Sequence, residues 1–215
     1  MMKMIPVIVL VGFIGLATTG LSGEDENVIA LFSSCDIQPE NAETVASQIE
    51  RYTGAPVRIV PCLKSDEFDL KAFAQQVQKG LAPGDRVSLA LFSMGTNETD
   101  HTVLTVKNGP QPFAMIDVRT LLRDNPKGEL RDKTISRRMQ KESLRALSLL
   151  LRGEQCPTLF CASSRHRSIK HLDEKSYNYC PPCREKLGDA LRKRGITVKT
   201  PFEQLTEDAK KLPGS

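Results

Sequence analysis

Apolar positions recur along this chain in two rhythms, a short β-like run and a helical stripe, and at first the two alternate. Asn27 to Phe32 (NVIALF) is a β-rich apolar run bounded by Ser33 and Ser34, and it reads as a buried strand. Pro39 to Arg51 carries Val45, Ala46 and Ile49 at helical spacing, and Gly54 and Pro56 stop it. Val57 to Val60 (VRIV) is a second strand, broken by Pro61. Leu70 to Leu81 returns to the helical period, with Phe73, Val77 and Leu81 on one stripe. After the Pro83-Gly84 turn, Arg86 to Phe92 (RVSLALF) is a third buried strand. Strand–helix–strand–helix–strand implies right-handed crossovers and a parallel sheet.

The pattern then changes. His101 to Val106 alternates, Asn108-Gly109 is a hairpin signal, and Pro112 to Val118 is apolar again. These read as antiparallel or edge strands on the same sheet. Asp124 to Asp132 is polar and loop-like, and a long helix follows from Thr134 to Arg152. Met139, Leu144, Leu147, Leu150 and Leu151 give it an apolar side and leave the opposite side basic. Gly153 is its C-terminal stop. A shorter helix from Arg184 to Arg194 ends at Gly195, and the polar stretch from Lys199 to Ser215 reads as a tail. The fold class is α/β (α+β), a twisted mixed sheet with a parallel βαβαβ start.

Composition narrows this picture little. The 215 residues suffice for one well-buried domain with a small appendage. With 40% hydrophobic and 26% charged residues, disorder is not the default. The net charge of +4 is mild. Two local basic clusters, Arg137, Arg138, Lys141 and Arg145, then Arg165, Arg167 and Lys170, read as solvated helix and loop faces. With no Trp and few aromatics near them, a stacking surface for nucleic acid is not expected.

The N-terminus reads as a secretory signal. Lys3 precedes an apolar run from Ile5 to Ala17, the small and polar stretch Thr18 to Gly23, and the acidic Glu24-Asp25-Glu26. The run is shorter than the roughly 20 residues of a membrane span. Leu21 extends it, so the membrane would be engaged only through this segment if it stays uncleaved. The expected organisation is a signal peptide over 1–23, an α/β domain over 24–155, a four-cysteine subdomain over 156–198 and a tail over 199–215. The mature protein is expected in the periplasm or outside the cell.

Cys156 and Cys161 form C-x4-C, and Cys180 and Cys183 form C-x2-C, 18 residues apart. That is the two-knuckle layout of a structural zinc site holding one ion. Proline in Cys180-Pro-Pro-Cys183 fixes the bend, and zinc–thiolate bonds would organise the polar segment from Ala162 to Tyr179. Two disulfides, favoured by export, are an alternative. So is a redox dithiol at Cys180 and Cys183, leading into a helix whose dipole lowers a thiol pKa. Cys35 and Cys62 each lie just past a predicted parallel strand, so a disulfide between them is geometrically reasonable.

With these residues assembled, the chain resembles the archaemetzincin family of zinc metallopeptidases. That family's pattern is HExxHxxGxxH followed at once by Cys, then x4, Cys-x-Met, a spacer and Cys-x-x-Cys. Gln155-Cys156, Cys161 and Cys180-Pro-Pro-Cys183-Arg-Glu-Lys-Leu match its second half, and Lys141-Glu142-Ser143-Leu144 resembles the lead-in to its active-site helix. The resemblance implies a zincin-like fold with a long former active-site helix and a small C-terminal zinc subdomain.

The first half of the pattern is absent. In the register set by Cys156, Arg145 and Ala146 stand where the family has His-Glu. Leu149 replaces the second histidine, Arg152 the glycine, Gln155 the third histidine and Ser163 the methionine. Three histidines bind the catalytic zinc and the glutamate activates its water. Arginine is a permanent cation and leucine has no donor atom, so neither serves. Arg145 itself reads as a solvated or internally paired cation. The expectation is an exported, catalytically inactive homologue that can bind a peptide or protein, because a sheet edge accepts an extended peptide without catalysis. The alternatives are a metallopeptidase with a rearranged site using His101, His166 or His171, and a thiol–disulfide oxidoreductase through Cys180 and Cys183.

Overall fold

The computed structural model describes residues 28–63, 70–93, 103–106, 111–123 and 130–198. The expected leader, the Asn108-Gly109 turn, His101 and the tail from Lys199 lie outside the described residues. The strands β1 (Val28–Ser34), β2 (Val57–Leu63), β3 (Asp85–Phe92), β4 (Val103–Val106) and β5 (Phe113–Asp117) form one sheet in the order β2-β1-β3-β5-β4. β1 runs parallel to β2 and β3, β5 runs parallel to β3, and β4 is antiparallel to β5. The helices are α1 (Pro39–Thr53), α2 (Leu70–Lys79), α3 (Val118–Leu121), α4 (Leu130–Arg152), α5 (Ile169–Glu174) and α6 (Pro181–Arg192).

Near-continuous apolar strands make sense here because both faces of the sheet are covered. Successive side chains point to opposite faces. Ile29 and Leu31 of β1, Leu89 and Leu91 of β3, and Ala114 and Ile116 of β5 therefore pack toward α1 and α4. Their neighbours Ala30, Phe32, Ala90, Phe92, Phe113 and Met115 pack on the other face with Phe73 and Val77 of α2. Truncating one such side chain to alanine costs about 2–5 kcal/mol. Cys156, Cys161, Tyr179, Leu187 and Leu191 join the α1/α4 core, so the cysteine segment is built onto the α4 side of the sheet.

Several element boundaries differ from expectation, each for a local reason. Pro61 does not break β2. That strand lies at the sheet edge, where a missing N–H is tolerated, and the pairing with β1 shifts register between Phe32 and Ser34 to accommodate it. β5 is an interior strand, between β3 and β4, while β4 is the antiparallel edge. Val118 starts α3 instead of ending a strand, because Asp117 caps the helix by accepting from the Arg119 N–H at 3.0 Å. α4 begins at Leu130, inside the expected loop; its first turn (Arg131, Asp132, Lys133) is exposed and so carries no apolar periodicity. α6 begins at Pro181, since proline suits a helix's first turn. α5 was not expected; Ser168 caps it by accepting from the His171 N–H at 3.1 Å.

Candidate functional site

Gly153 ends α4 with φ 74°, a left-handed turn that places its N–H 2.8 Å from the Leu149 carbonyl and sends the chain back along the helix. Three residues on, Cys156 accepts the Thr158 N–H on its Sγ at 3.4 Å. Cys161 accepts the Cys180 N–H on its Sγ at 3.3 Å. Cys180 is the residue that leads into α6, and Cys183 lies in its first turn. All four thiols are free, and their sulfurs lie within 4.8 Å of one another, with Cys156 and Cys180 at 3.6 Å. A Zn–S bond of about 2.3 Å in a tetrahedron requires sulfurs about 3.8 Å apart, so this set fits a zinc ion.

The charges agree with the geometry. At Cys156 burial pushes the thiol up, but the Thr158 amide and the neighbouring thiols draw it down to about 7. Burial and the adjacent Cys156 push Cys183 up to about 12, with the Arg152 guanidinium pulling the other way. Four thiolates crowded together need positive charge between them, which a dication supplies. Zinc bound by Cys156, Cys161, Cys180 and Cys183 would tie the end of α4 to the start of α6.

The cysteine segment covers the side of α4 that reads as basic and solvated in the sequence, and this overturns that reading for Arg138 and Lys141, while Arg145 takes the internally paired alternative. Arg138 is buried; it donates to both Asp173 oxygens at 2.7 Å and to the carbonyls of Leu121 and Arg123 at 2.7 and 3.0 Å. Lys141 donates to the Leu172 and Asp173 carbonyls at 3.0 and 2.5 Å, above the Tyr177 ring. Burial lowers its pKa. Arg145 is paired as described below. Other polar ties are equally buried. Tyr179 Oη donates to the Leu144 carbonyl at 2.6 Å, the Ser148 and Ser163 hydroxyls meet at 2.6 Å, and Lys175 Nζ donates to the Ala162 and Ser164 carbonyls at 3.1 and 2.7 Å. Ser163 is thus a hydrogen-bonding anchor where the resembling family has methionine. None of these partners is near in sequence, so no local pattern announces them.

The four degenerate positions separate by geometry. Ala146 is buried in the core. Arg145, Leu149 and Gln155 line one cavity of about 840 Å³, with Val103 of the edge strand β4 and Cys156. So the three positions that the resemblance aligns with histidines border one space, and none of the three is a histidine. Arg145 instead donates to Glu142 through Nε (2.9 Å to Oε2) and a terminal nitrogen (2.6 Å to Oε2), and His166 Nδ1 lies 3.1 Å from Glu142 Oε1. Glu142 has no exposed surface. Burial alone would raise its pKa; Arg145 and then His166 outweigh this and hold it well below the usual carboxylate range. His171 Nδ1 accepts the Arg167 N–H at 3.3 Å. Among the described residues the four cysteines are the group of metal-ligating side chains that converge, and His166 and His171 form no second one. Cys35 is disulfide-bonded; the side chain of Cys62, its expected partner, lies outside those described. No described helix is long and apolar enough to cross a membrane.

This architecture recurs among solved structures. The chain is similar to an archaemetzincin from Methanopyrus kandleri (20% identity, TM-score 0.59, covering 80% of this chain and 99% of that one). It is similar to a zinc-dependent peptidase from Methanocorpusculum labreanum (15%, 0.57, 74% and 99%). It is also similar to an archaemetzincin from Archaeoglobus fulgidus complexed with malonate (16%, 0.53, 74% and 98%). No family model and no curated protein sequence matches the chain. The fold is archaemetzincin-like; at these identities the likeness extends no further.

Proposed function

We propose that this chain is an exported protein of archaemetzincin-like fold that holds one structural zinc on Cys156, Cys161, Cys180 and Cys183 and binds peptides without hydrolysing them. One observation carries the reading: the Arg145–Glu142–His166 group occupies the helix position where the resembling proteases have a metal ligand. A guanidinium cannot ligate a dication and repels one nearby. Glu142 has no exposed surface and Arg145 donates to both its oxygens, so it is not placed to act as a general base. Leu149 offers no donor and Gln155 is a neutral amide. The edge strand β4 beside the cavity is a surface on which an extended peptide can add its backbone hydrogen bonds. Export is supported by the N-terminal signal layout alone.

Metal analysis of the purified mature protein, with peptide pools incubated in excess zinc, tests this. The expected result is one zinc per chain, lost in Cys183→Ser and kept in His166→Ala, with the peptides intact. A second zinc that disappears in His166→Ala, together with cleaved peptides, would establish a rearranged metallopeptidase instead.

A further inference from the structure

The cavity beside α4 has a charge pattern that the zinc and the lost catalytic ligands do not explain. Its lining includes Arg123, Arg145, Arg165, His166 and Arg167, and among the described residues no aspartate or glutamate lines it. Arg145 is engaged by Glu142 from behind. Arg165 and Arg167 are exposed and enter no ion pair among the described residues. The loop that carries them is held in place: Arg167 N–H donates to His171 Nδ1, and Ser168 accepts from the His171 N–H. Two cations on a fixed loop, lining a cavity with no acidic group among the described residues, form a place for a carboxylate.

Other features of the cavity narrow the ligand. Among the described residues no Phe, Tyr or Trp lines it, so a nucleobase would lack the large aromatic faces on which bases usually stack. Its volume of about 840 Å³ is that of a small-ligand site and takes a few residues of extended chain, not a folded partner. Val103 of β4, the sheet-edge strand, is part of the lining. Leu159, which lines the cavity, is 55% exposed. A single exposed apolar residue is ordinary on a surface, but one that lines a cavity offers a seat for an apolar side chain.

We infer that the cavity reads carboxylates on peptides. An extended peptide lies along β4, places an acidic side chain or its terminal carboxylate between Arg165 and Arg167, and rests a neighbouring apolar side chain on Leu159. Arg145, fixed by Glu142, forms the cationic floor. This rests on the peptide-binding reading above and adds the ligand class to it.

The test is fluorescence anisotropy on the zinc-loaded mature protein, with a labelled pentapeptide carrying two acidic residues, its Asn/Gln isostere with an amidated end, and unlabelled malonate and inorganic phosphate as competitors. The acidic peptide should bind about 10- to 100-fold tighter than the neutral one, the range of a charge-assisted hydrogen bond. That preference should vanish in Arg165→Gln/Arg167→Gln and shrink at high salt, and malonate should compete better than phosphate. Equal binding of both peptides would overturn the inference while leaving peptide binding intact, and so would stronger competition by phosphate than by malonate. Cleavage of the acidic peptide with the preference retained would refute the non-hydrolytic reading and leave the carboxylate site standing.

Discussion

Glu142 has no exposed surface, and an unpaired carboxylate there would lose several kcal/mol of hydration. Arg145 sits one helical turn later, close enough to compensate, and this is the pairing the sequence allowed as one reading of Arg145. The linked pH behaviour has a definite sign. In the unfolded chain Glu142 titrates near ~4.3, whereas in the fold Arg145 and His166 overcome the effect of burial and hold it lower. Below that unfolded value the unfolded state binds more protons, so the stability contributed by the pair is present above about pH 4.3 and drains as the pH falls toward the folded value. Glu142→Gln leaves Arg145 buried without its counter-charge and should cost about 3–5 kcal/mol at pH 7. The deficit should narrow at pH 4 and again at pH 3, as the wild type loses what the variant lacks. Denaturant midpoints at the three values check this; a deficit unchanged by pH would mean that the carboxylate's charge contributes nothing. Loss of zinc at low pH affects both proteins alike and cancels in the difference.

Among the elements, α5 and the loops around it have the least support of their own. α5 spans six residues, too few for a stable isolated helix, and it is held by Arg138 and Lys141 from α4 and by the turn that the cysteines organise. Removing zinc should therefore act locally. Chelation is expected to raise amide exchange across 156–180 by orders of magnitude, while the amides of β1 and β3, bonded within the sheet, keep their protection. Uniform loss of protection would show instead that the sheet depends on the metal. The same contrast explains what was legible in the sequence. The βαβαβ start could be read because periods of 2 and 3.6 are local properties of an apolar pattern, and Phe73 and Val77 declared the buried face of α2 without any partner in view. The four cysteines could be read because their spacing is itself the signal. The burial of Arg138 and Lys141 could not, since it depends on a segment 30 residues away folding over them. A basic helix side looks the same in sequence whether water or Asp173 satisfies it.

At the scale of the whole molecule, the archaemetzincin-like scaffold and the chemistry of its site are separate questions, because one fold can carry many sites. The sheet, the long helix and the cysteine cluster are all in place, and the three positions that the resemblance aligns with histidines, Arg145, Leu149 and Gln155, border one cavity. If only side chains have been lost, restoring them should restore a metal site. The variant Glu142→Gln/Arg145→His/Leu149→His/Gln155→His is the one to make, because Arg145→His alone would strand the buried carboxylate. It is expected to bind a second equivalent of cobalt, seen as the visible absorption of a site with nitrogen ligands, distinct from the thiolate charge-transfer bands of the cysteine site. The wild type should bind one. The second site should be the weaker, as no partner for the imidazole N–H groups has been built around it and such partners are worth about 10- to 100-fold in affinity. Hydrolysis is not expected to return with the metal, since Ala146 supplies no base to activate bound water. If the variant folds, keeps its cysteine-bound cobalt and takes up no more, then Cys156 does not set the register of the former motif, and the cavity beside α4 descends from some other site.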